Sequence, residues 1–188
     1  MSIYLVWSRF NPSWLELQQG DVVLAEKEIL FPLRKVPTTP FSSLEEAQEW
    51  LVQKERKMAK NQALRVLSRQ SLASTILQQK LEAKGYSPGI CGEVVQSCQS
   101  YLSDEEYWPR IVERELARGY GPRWIVWKWK SKGLPEHLVG ILATPEKQNE
   151  GIRKIRAKLK DRKKAFRILL QRGFDSPVIA EAIALFCP

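Results

Sequence analysis

Apolar residues recur at intervals of three and four through most of the chain after residue 40, a spacing that predicts amphipathic helices. Three times such a helix ends in a cation, a glycine and an apolar residue, followed closely by a proline. These segments are Lys84-Gly85-Tyr86, Lys132-Gly133-Leu134 and Arg172-Gly173-Phe174. Their glycines are separated by 48 and then 40 residues (133 − 85 and 173 − 133). We expect each glycine to end one helix in the left-handed conformation, and each proline to lie near the start of the next helix.

Each glycine stop thus joins two helices, and a further helix precedes each such pair of helices. Ser103-Asp-Glu-Glu106 has the pattern of a capping box and predicts a helix that ends at Gly119. Ile152, Ile155 and Leu159 mark the matching helix of the last unit. The unit is therefore three helices, and it occurs three times in tandem.

The first forty residues have a different pattern. Ile3 to Trp7 and Trp14 to Leu17 are rich in β-branched and aromatic residues, Gln19-Gly20-Asp21 suits a turn, and Val22 to Ala25 resumes the apolar pattern. This predicts a hairpin with a possible third strand, followed by a proline-interrupted linker or docking segment. A capping box at Ser43-Leu-Glu-Glu46 then begins one long helix or two short ones.

We therefore predict a mainly α fold in which tandem three-helix repeats form an elongated curved array behind a small N-terminal β-hairpin region. The predicted divisions are a β-containing head and linker (1–40) and three helical repeats (41–101, 102–143 and 144–188).

The most informative stretch runs from Arg118 to Pro135. Gly121 and Pro122 suit a helix start and Gly133 a helix end, which predicts a helix over about residues 122 to 132. Ile125 and Trp129 fall on its core-facing stripe, and Trp124 and Trp127 fall on the far side. That second face either packs on another helix, or its tryptophans stack on bases or insert into a protein partner.

Positive charge is concentrated in two places. Five cations and no carboxylate lie between Arg118 and Lys132, which predicts an uncompensated positive field around the central helix. The nearest acids in sequence, Glu113, Glu115 and Glu136, are expected to form only exposed pairs. The net charge is +9, and residues 151–188 hold ten cations against three acids. Such a run is usually a solvated helix face, but so strong an excess favours contact with phosphates.

Most catalytic and metal chemistry is disfavoured by composition. The three cysteines (Cys91, Cys98 and Cys187) form no C-x-x-C pair and are expected to be buried thiols. His137 is the only histidine, so a zinc site or catalytic triad cannot be assembled from histidines of this chain. Asp104, Glu105 and Glu106 could form a metal site but suit the first turn of a helix better. We expect no enzyme, cofactor, metal or membrane span, and a cytoplasmic location.

The sequence resembles the RecX family, regulatory proteins of the RecA recombinase. The resemblance covers about residues 60 to 186 and is carried by four segments. They are Arg118-Gly-Tyr-Gly-Pro-Arg123 with Lys132-Gly133, Lys80-Leu-Glu-Ala-Lys-Gly-Tyr86, Tyr101-Leu-Ser-Asp-Glu105 and Arg172-Gly-Phe-Asp175. The chain departs from the family pattern at Trp124 and Trp127, where relatives carry polar residues, and at Tyr101, where relatives carry glycine.

The resemblance implies a protein that binds the RecA filament on DNA and inhibits the recombinase, ATPase and co-protease activities of RecA. We also expect a monomer that binds single- and double-stranded DNA. A general nucleic-acid-binding helical protein without a RecA partner is the alternative. We expect the binding face to use residues of the central helix and of the basic run. They are Arg118, Tyr120, Arg123, Trp124, Trp127, Lys128, Lys130, Lys132, Arg153, Lys154, Arg156, Lys160, Lys163, Lys164 and Arg167.

Overall fold

A computed structural model describes residues 2–155 and 161–186 of the chain. These residues are mainly α-helical and carry a small antiparallel sheet at the N-terminus, which confirms the predicted fold class. The chain divides into two compact units, Met1–Leu102 and Ser103–Pro188.

The N-terminal sheet has the strand order β1-β2-β3. Its strands are Tyr4–Trp7 (β1), Trp14–Gln19 (β2) and Val22–Glu28 (β3). The predicted turn is confirmed at Gly20, whose φ is +60°. Leu5 of β1 lies opposite Leu17 of β2, and both side chains are buried in the core of the first unit. Strand β3 forms one edge of the sheet, and almost all of its residues are exposed.

The first unit contains helices α1 (Leu44–Leu67), α2 (Ser74–Glu82) and α3 (Pro88–Ser97), followed by a 3₁₀ turn (Gln99–Tyr101). The cap of α1 is confirmed, since the Ser43 hydroxyl accepts a hydrogen bond from the Glu46 amide at 3.1 Å. Helix α1 is one continuous element of 24 residues. Leu64, predicted on its apolar stripe, is exposed because the buried positions of α1 follow a four-residue spacing through Ala59 and Ala63.

The second unit contains six helices among its described residues. They are α4 (Asp104–Ala117), α5 (Pro122–Trp129), α6 (Glu136–Leu142), α7 (Pro145–Ile155), α8 (Arg162–Gln171) and α9 (Ser176–Phe186). Ser103 is the N-cap of α4, but the capping box predicted there is wrong. With φ −135° and ψ 60° at Ser103, its hydroxyl makes no cap hydrogen bond, and its carbonyl oxygen accepts from the Glu106 amide at 3.1 Å.

The predicted helix stops are confirmed in the backbone. Gly85, Gly133 and Gly173 have φ of 85°, 94° and 80°, the left-handed conformation expected after a helix. The positions four and eight residues before each of these three glycines are buried. These pairs are Leu81 and Leu77, Trp129 and Ile125, and Leu169 and Ala165. Helices α2, α5 and α8 are therefore equivalent elements, each turning the same positions toward its core.

Candidate functional site

The central helix forms as its sequence predicts. Gly121 is the N-cap of α5, Pro122 occupies its first turn, and a 3₁₀ turn at Lys130–Lys132 carries the chain to Gly133. Ile125 is fully buried and Trp129 is 8% exposed, so the core-facing stripe is confirmed. The opposite side of α5 carries the residues proposed for binding.

The two tryptophans on that side have different environments. Trp124 is half-buried and stacks on Tyr120, with ring centroids 3.7 Å apart and an interplanar angle of 10°. Lys128 Nζ lies 4.5 Å from the Trp124 ring, and the Arg172 guanidinium lies 5.0 Å from the Tyr120 ring. Trp127 is 76% exposed. The second face is therefore divided between one packed tryptophan and one that projects into solvent.

The Arg118-Gly-Tyr-Gly-Pro-Arg123 segment contacts the turn that follows α8. The Gly121 amide donates to the Arg172 carbonyl at 2.7 Å, and the Arg123 amide donates to the Gly173 carbonyl at 3.1 Å. Arg172 Nη1 returns a hydrogen bond to the Gly119 carbonyl at 3.0 Å. A Cβ on Gly121 would overlap backbone atoms of Gly173 and Phe174. Gly121 thus permits a close backbone contact between the start of α5 and the turn after α8.

A buried acid neutralises part of the positive field around α5, which corrects the prediction that the field is uncompensated. The Glu115 side chain has no exposed surface, and it was expected to be an exposed partner. It accepts from Arg114 Nη2 at 3.0 Å and Arg118 Nη1 at 3.5 Å, and its second oxygen lies 3.7 Å from Lys128 Nζ. Glu115 can be buried because these cations surround its carboxylate at the core boundary.

Two further cations of the central stretch also face acids. Arg123 Nε lies 3.8 Å from Asp175 Oδ1, and Lys130 Nζ contacts a Glu136 oxygen at 2.5 Å. The hydrogen bond to Glu136 raises the pKa of Lys130. Lys132 Nζ lies 4.6 Å from the centre of the Trp129 ring. The central cations are thus largely engaged within the chain, although Arg123 and Lys130 keep 67% and 69% of their side chains exposed.

Asp175 is itself held in place by a buried glutamine. Gln148 Nε2 donates to Asp175 Oδ2 at 2.8 Å, and the Asp175 amide donates to Gln148 Oε1 at 3.2 Å. Sequence reasoning missed the roles of Gln148 and Glu115. Glu115 could have been found from its spacing, since it lies four residues after Ile111 and three after Val112 on the buried stripe of α4. Gln148 gave no comparable signal, because its partner is 27 residues away.

The cations in the last turn of α7 and in α8 form no ion pair with a described carboxylate. Arg153 and Lys154 lie in the last turn of α7. Arg162, Lys163 and Lys164 form the first turn of α8, and Arg167 follows one turn later. All six are exposed, and none forms an ion pair with a carboxylate among the described residues. The Asp161 carboxylate caps α8 by accepting from the Lys164 amide at 2.7 Å. Arg156 and Lys160, also proposed for binding, lie outside the described residues.

Other side chains with possible chemistry are placed as follows. Cys91 and Cys98 are buried free thiols, and Cys187 lies outside the described residues. Burial raises the pKa of Cys91 to about 11, and its thiol donates to the Tyr86 carbonyl. His137 is exposed. Over residues 2–155 and 161–186, no group of three or more potential ligands is arranged to hold a metal, and no helix is long and apolar enough to cross a membrane.

Comparison with known proteins shows a consistent set of relatives. The chain is 32% identical over 141 residues to the regulatory protein RecX of Caldanaerobacter subterraneus subsp. tengcongensis, covering 70% of this chain and 72% of the relative. It is 32% identical over 132 residues to RecX of Legionella pneumophila (63% and 88% covered). RecX of Thermus thermophilus is 31% identical over 123 residues (64% and 86% covered). No protein-family model matches the sequence.

Solved structures show the same fold. The crystal structure of RecX from Lactobacillus salivarius superposes with a TM-score of 0.59 at 21% identity, covering 71% of this chain and 97% of that one. A second crystal structure of a regulatory protein RecX gives a TM-score of 0.62 at 17% identity and covers 98% of this chain and all of the other.

Proposed function

The chain belongs to the RecX family of regulatory proteins, and from this premise we propose that it binds the RecA filament on DNA and inhibits RecA. A protein bound along the filament obstructs its growth and its strand exchange. The ATPase and co-protease activities of RecA then fall as a consequence. The chain acts by binding rather than by catalysis, as a monomer in the cytoplasm.

The charge distribution of the third repeat is the observation that carries this proposal. Arg162, Lys163 and Lys164 are consecutive at the N-terminal end of α8, where the helix dipole disfavours cations. Asp161 caps this end, but its bond is to a backbone amide, and no described carboxylate pairs with the three side chains. An external polyanion would supply the missing negative charge. Phosphates of single- or double-stranded DNA meet that requirement.

The central helix suits a different part of the proposed contact. Arg118 and Lys128 lie against the buried carboxylate of Glu115, so their charge is partly neutralised inside the chain. Arg123, Trp127 and Lys130 remain exposed on the outer side of the helix. We propose that the third repeat (144–188) supplies most of the phosphate contact. The second repeat (102–143) presents the exposed side chains of Arg123, Trp127 and Lys130.

Charge reversal in the third repeat tests the proposal. The triple variant Lys163→Glu, Lys164→Glu, Arg167→Glu should lose most of its inhibition of DNA-dependent ATP hydrolysis by RecA. Its binding to DNA should also depend less on salt, with a slope smaller by roughly 2 to 3, since about 0.7 to 0.9 is lost for each phosphate contact. These side chains are exposed and form no described ion pair, so the fold should persist.

The matched control reverses three exposed cations of the first unit, Lys57, Lys60 and Arg69. It changes the net charge equally and should retain inhibition if the effect is local. Equal loss in both triple variants would show that only the total charge matters. That result would favour a general nucleic-acid-binding protein over a regulator with a defined contact face.

A further inference from the structure

We propose that Trp127 stacks on an unpaired base of single-stranded nucleic acid, with Arg123 and Lys130 on either side to contact the backbone phosphates. The inference deepens the proposed function and rests on it for placing nucleic acid against this helix. It adds a property that charge alone does not give, namely a preference for single strands over duplexes.

The exposure of Trp127 is the first observation. Its side chain is 76% exposed, although a tryptophan usually buries most of its surface. Among the described residues, no ring or cation covers either face of its indole. Trp124, one turn earlier, is stacked on Tyr120 and covered by Lys128. Trp127 therefore presents most of its indole surface to a ligand.

The repeats of the chain provide an independent comparison. Trp127 lies six residues before Gly133, and the residues six before Gly173 and Gly85 are Arg167 and Gln79. Both equivalents are exposed, as Trp127 is. The fold thus accepts an ordinary hydrophilic side chain at this position, so packing within the repeat does not require tryptophan. A requirement from outside the chain accounts for it.

The charged surroundings indicate the kind of partner. Arg123 and Lys130 lie four residues before and three residues after Trp127. On a helix these three positions share one face, so Trp127 lies between the two cations. Their nearest carboxylates leave them exposed, at 67% and 69%. A protein hot spot is typically centred in a well-packed apolar pocket, whereas an aromatic ring between cations is the usual platform for a single strand. In a duplex the base faces are already stacked, so they cannot cover the indole.

The test measures binding of a fluorescent oligo-dT strand, and of a duplex of the same length, in the absence of RecA. Trp127→Ala should weaken binding to the single strand by about 5- to 150-fold, the range expected for one lost base–aromatic stack. Its salt dependence and its duplex affinity should change little. Trp127→Phe should restore most of the single-strand affinity. Lys130→Gln should instead lower the salt slope by about 0.7, as expected for one phosphate contact.

Tyr101→Ala is the matched control, because Tyr101 is also an exposed aromatic residue, at 62%, but lies in the first unit. It should leave binding to both nucleic acids unchanged. Circular dichroism should show all variants folded, since the side chains are exposed. Unchanged single-strand affinity of Trp127→Ala, or an equal loss on duplex, would overturn the proposal. If Trp127→Ala lost inhibition of RecA while keeping its single-strand affinity, Trp127 would be a protein contact instead.

The two proposals can fail separately. A chain that never inhibits RecA, but loses single-strand affinity in Trp127→Ala, would refute the regulatory function and support the stacking contact. If the chain inhibits RecA and Trp127→Ala keeps its single-strand affinity, the regulatory function is supported and the stacking contact is refuted.

Discussion

Replacing Gly121 with alanine is expected to break the contact between the start of α5 and the turn after α8. The backbone of Gly121 has φ −86° and ψ 171°, which alanine adopts without strain, so the substitution tests space rather than conformation. The added methyl group would overlap backbone atoms of Gly173 and Phe174, which cannot rotate away as a flexible side chain could.

The structure allows the cost to be estimated. Moving the turn away from α5 weakens two backbone hydrogen bonds, from Gly121 to Arg172 and from Arg123 to Gly173. Each contributes roughly 0.5 to 1.5 kcal/mol. Overpacking at a tight contact adds about 1 to 3 kcal/mol. We therefore expect a loss of roughly 2 to 6 kcal/mol in the free energy of unfolding.

Thermal and urea unfolding, followed by circular dichroism, would measure this loss. Gly140→Ala is the matched control, since Gly140 lies within α6 of the same unit and a Cβ there meets no atom within 4 Å. Alanine in a helix should stabilise that variant by about 0.5 to 1 kcal/mol. If Gly121→Ala melted like Gly140→Ala, the close contact between Gly121 and the turn after α8 would not exist as described.

Three other predictions concern single residues. Gly133→Val should lower stability by roughly 1 kcal/mol or more because φ there is +94°, and an unchanged melting temperature would contradict this. Glu115→Gln should cost about 1 to 3 kcal/mol in urea unfolding, since it removes a buried carboxylate from two hydrogen bonds with arginines, whereas the exposed Glu113→Gln should cost at most about 1. Cys91, with its pKa raised to about 11, should resist alkylation at pH 8 in peptide mapping of the folded protein. Rapid alkylation at pH 8 would contradict this burial. Because the folded state holds the thiol proton more tightly than the unfolded state, the stabilisation from Cys91 should be present below about pH 9 and lost as the pH rises toward 11.

Local signals in the sequence were sufficient for most of the fold. A glycine after an amphipathic helix, with a proline soon after it, correctly located Gly85, Gly133 and Gly173 as helix stops. The cap at Ser43 was also correct, and this residue has extended dihedral angles (φ −146°, ψ 166°). The cap at Ser103 was not, since ψ there is 60° and its hydroxyl makes no cap hydrogen bond. A capping pattern identifies suitable residues but does not determine those angles.

Contacts between residues distant in sequence account for the remaining differences. The spacing of α4 could have suggested that Glu115 is buried, but not that Lys128, from the next helix, would face it. Likewise, Gly121 meets a turn about fifty residues further along the chain, which no local pattern predicts. The environments of Trp124 and Trp127 were left open by sequence because both lie on the outer side of one helix. Their environments differ because the ring of Tyr120 stacks on Trp124 and not on Trp127.

Regulation of RecA is tested most directly by separating filament inhibition from free DNA binding. The salt concentration at which the purified chain no longer binds single- or double-stranded DNA is determined first. Inhibition of DNA-dependent ATP hydrolysis by RecA is then measured at that concentration, where RecA itself remains active. The proposed function predicts that inhibition persists, because protein contacts with the filament remain when phosphate contacts are screened. Loss of inhibition in parallel with loss of DNA binding would contradict a RecA-specific contact.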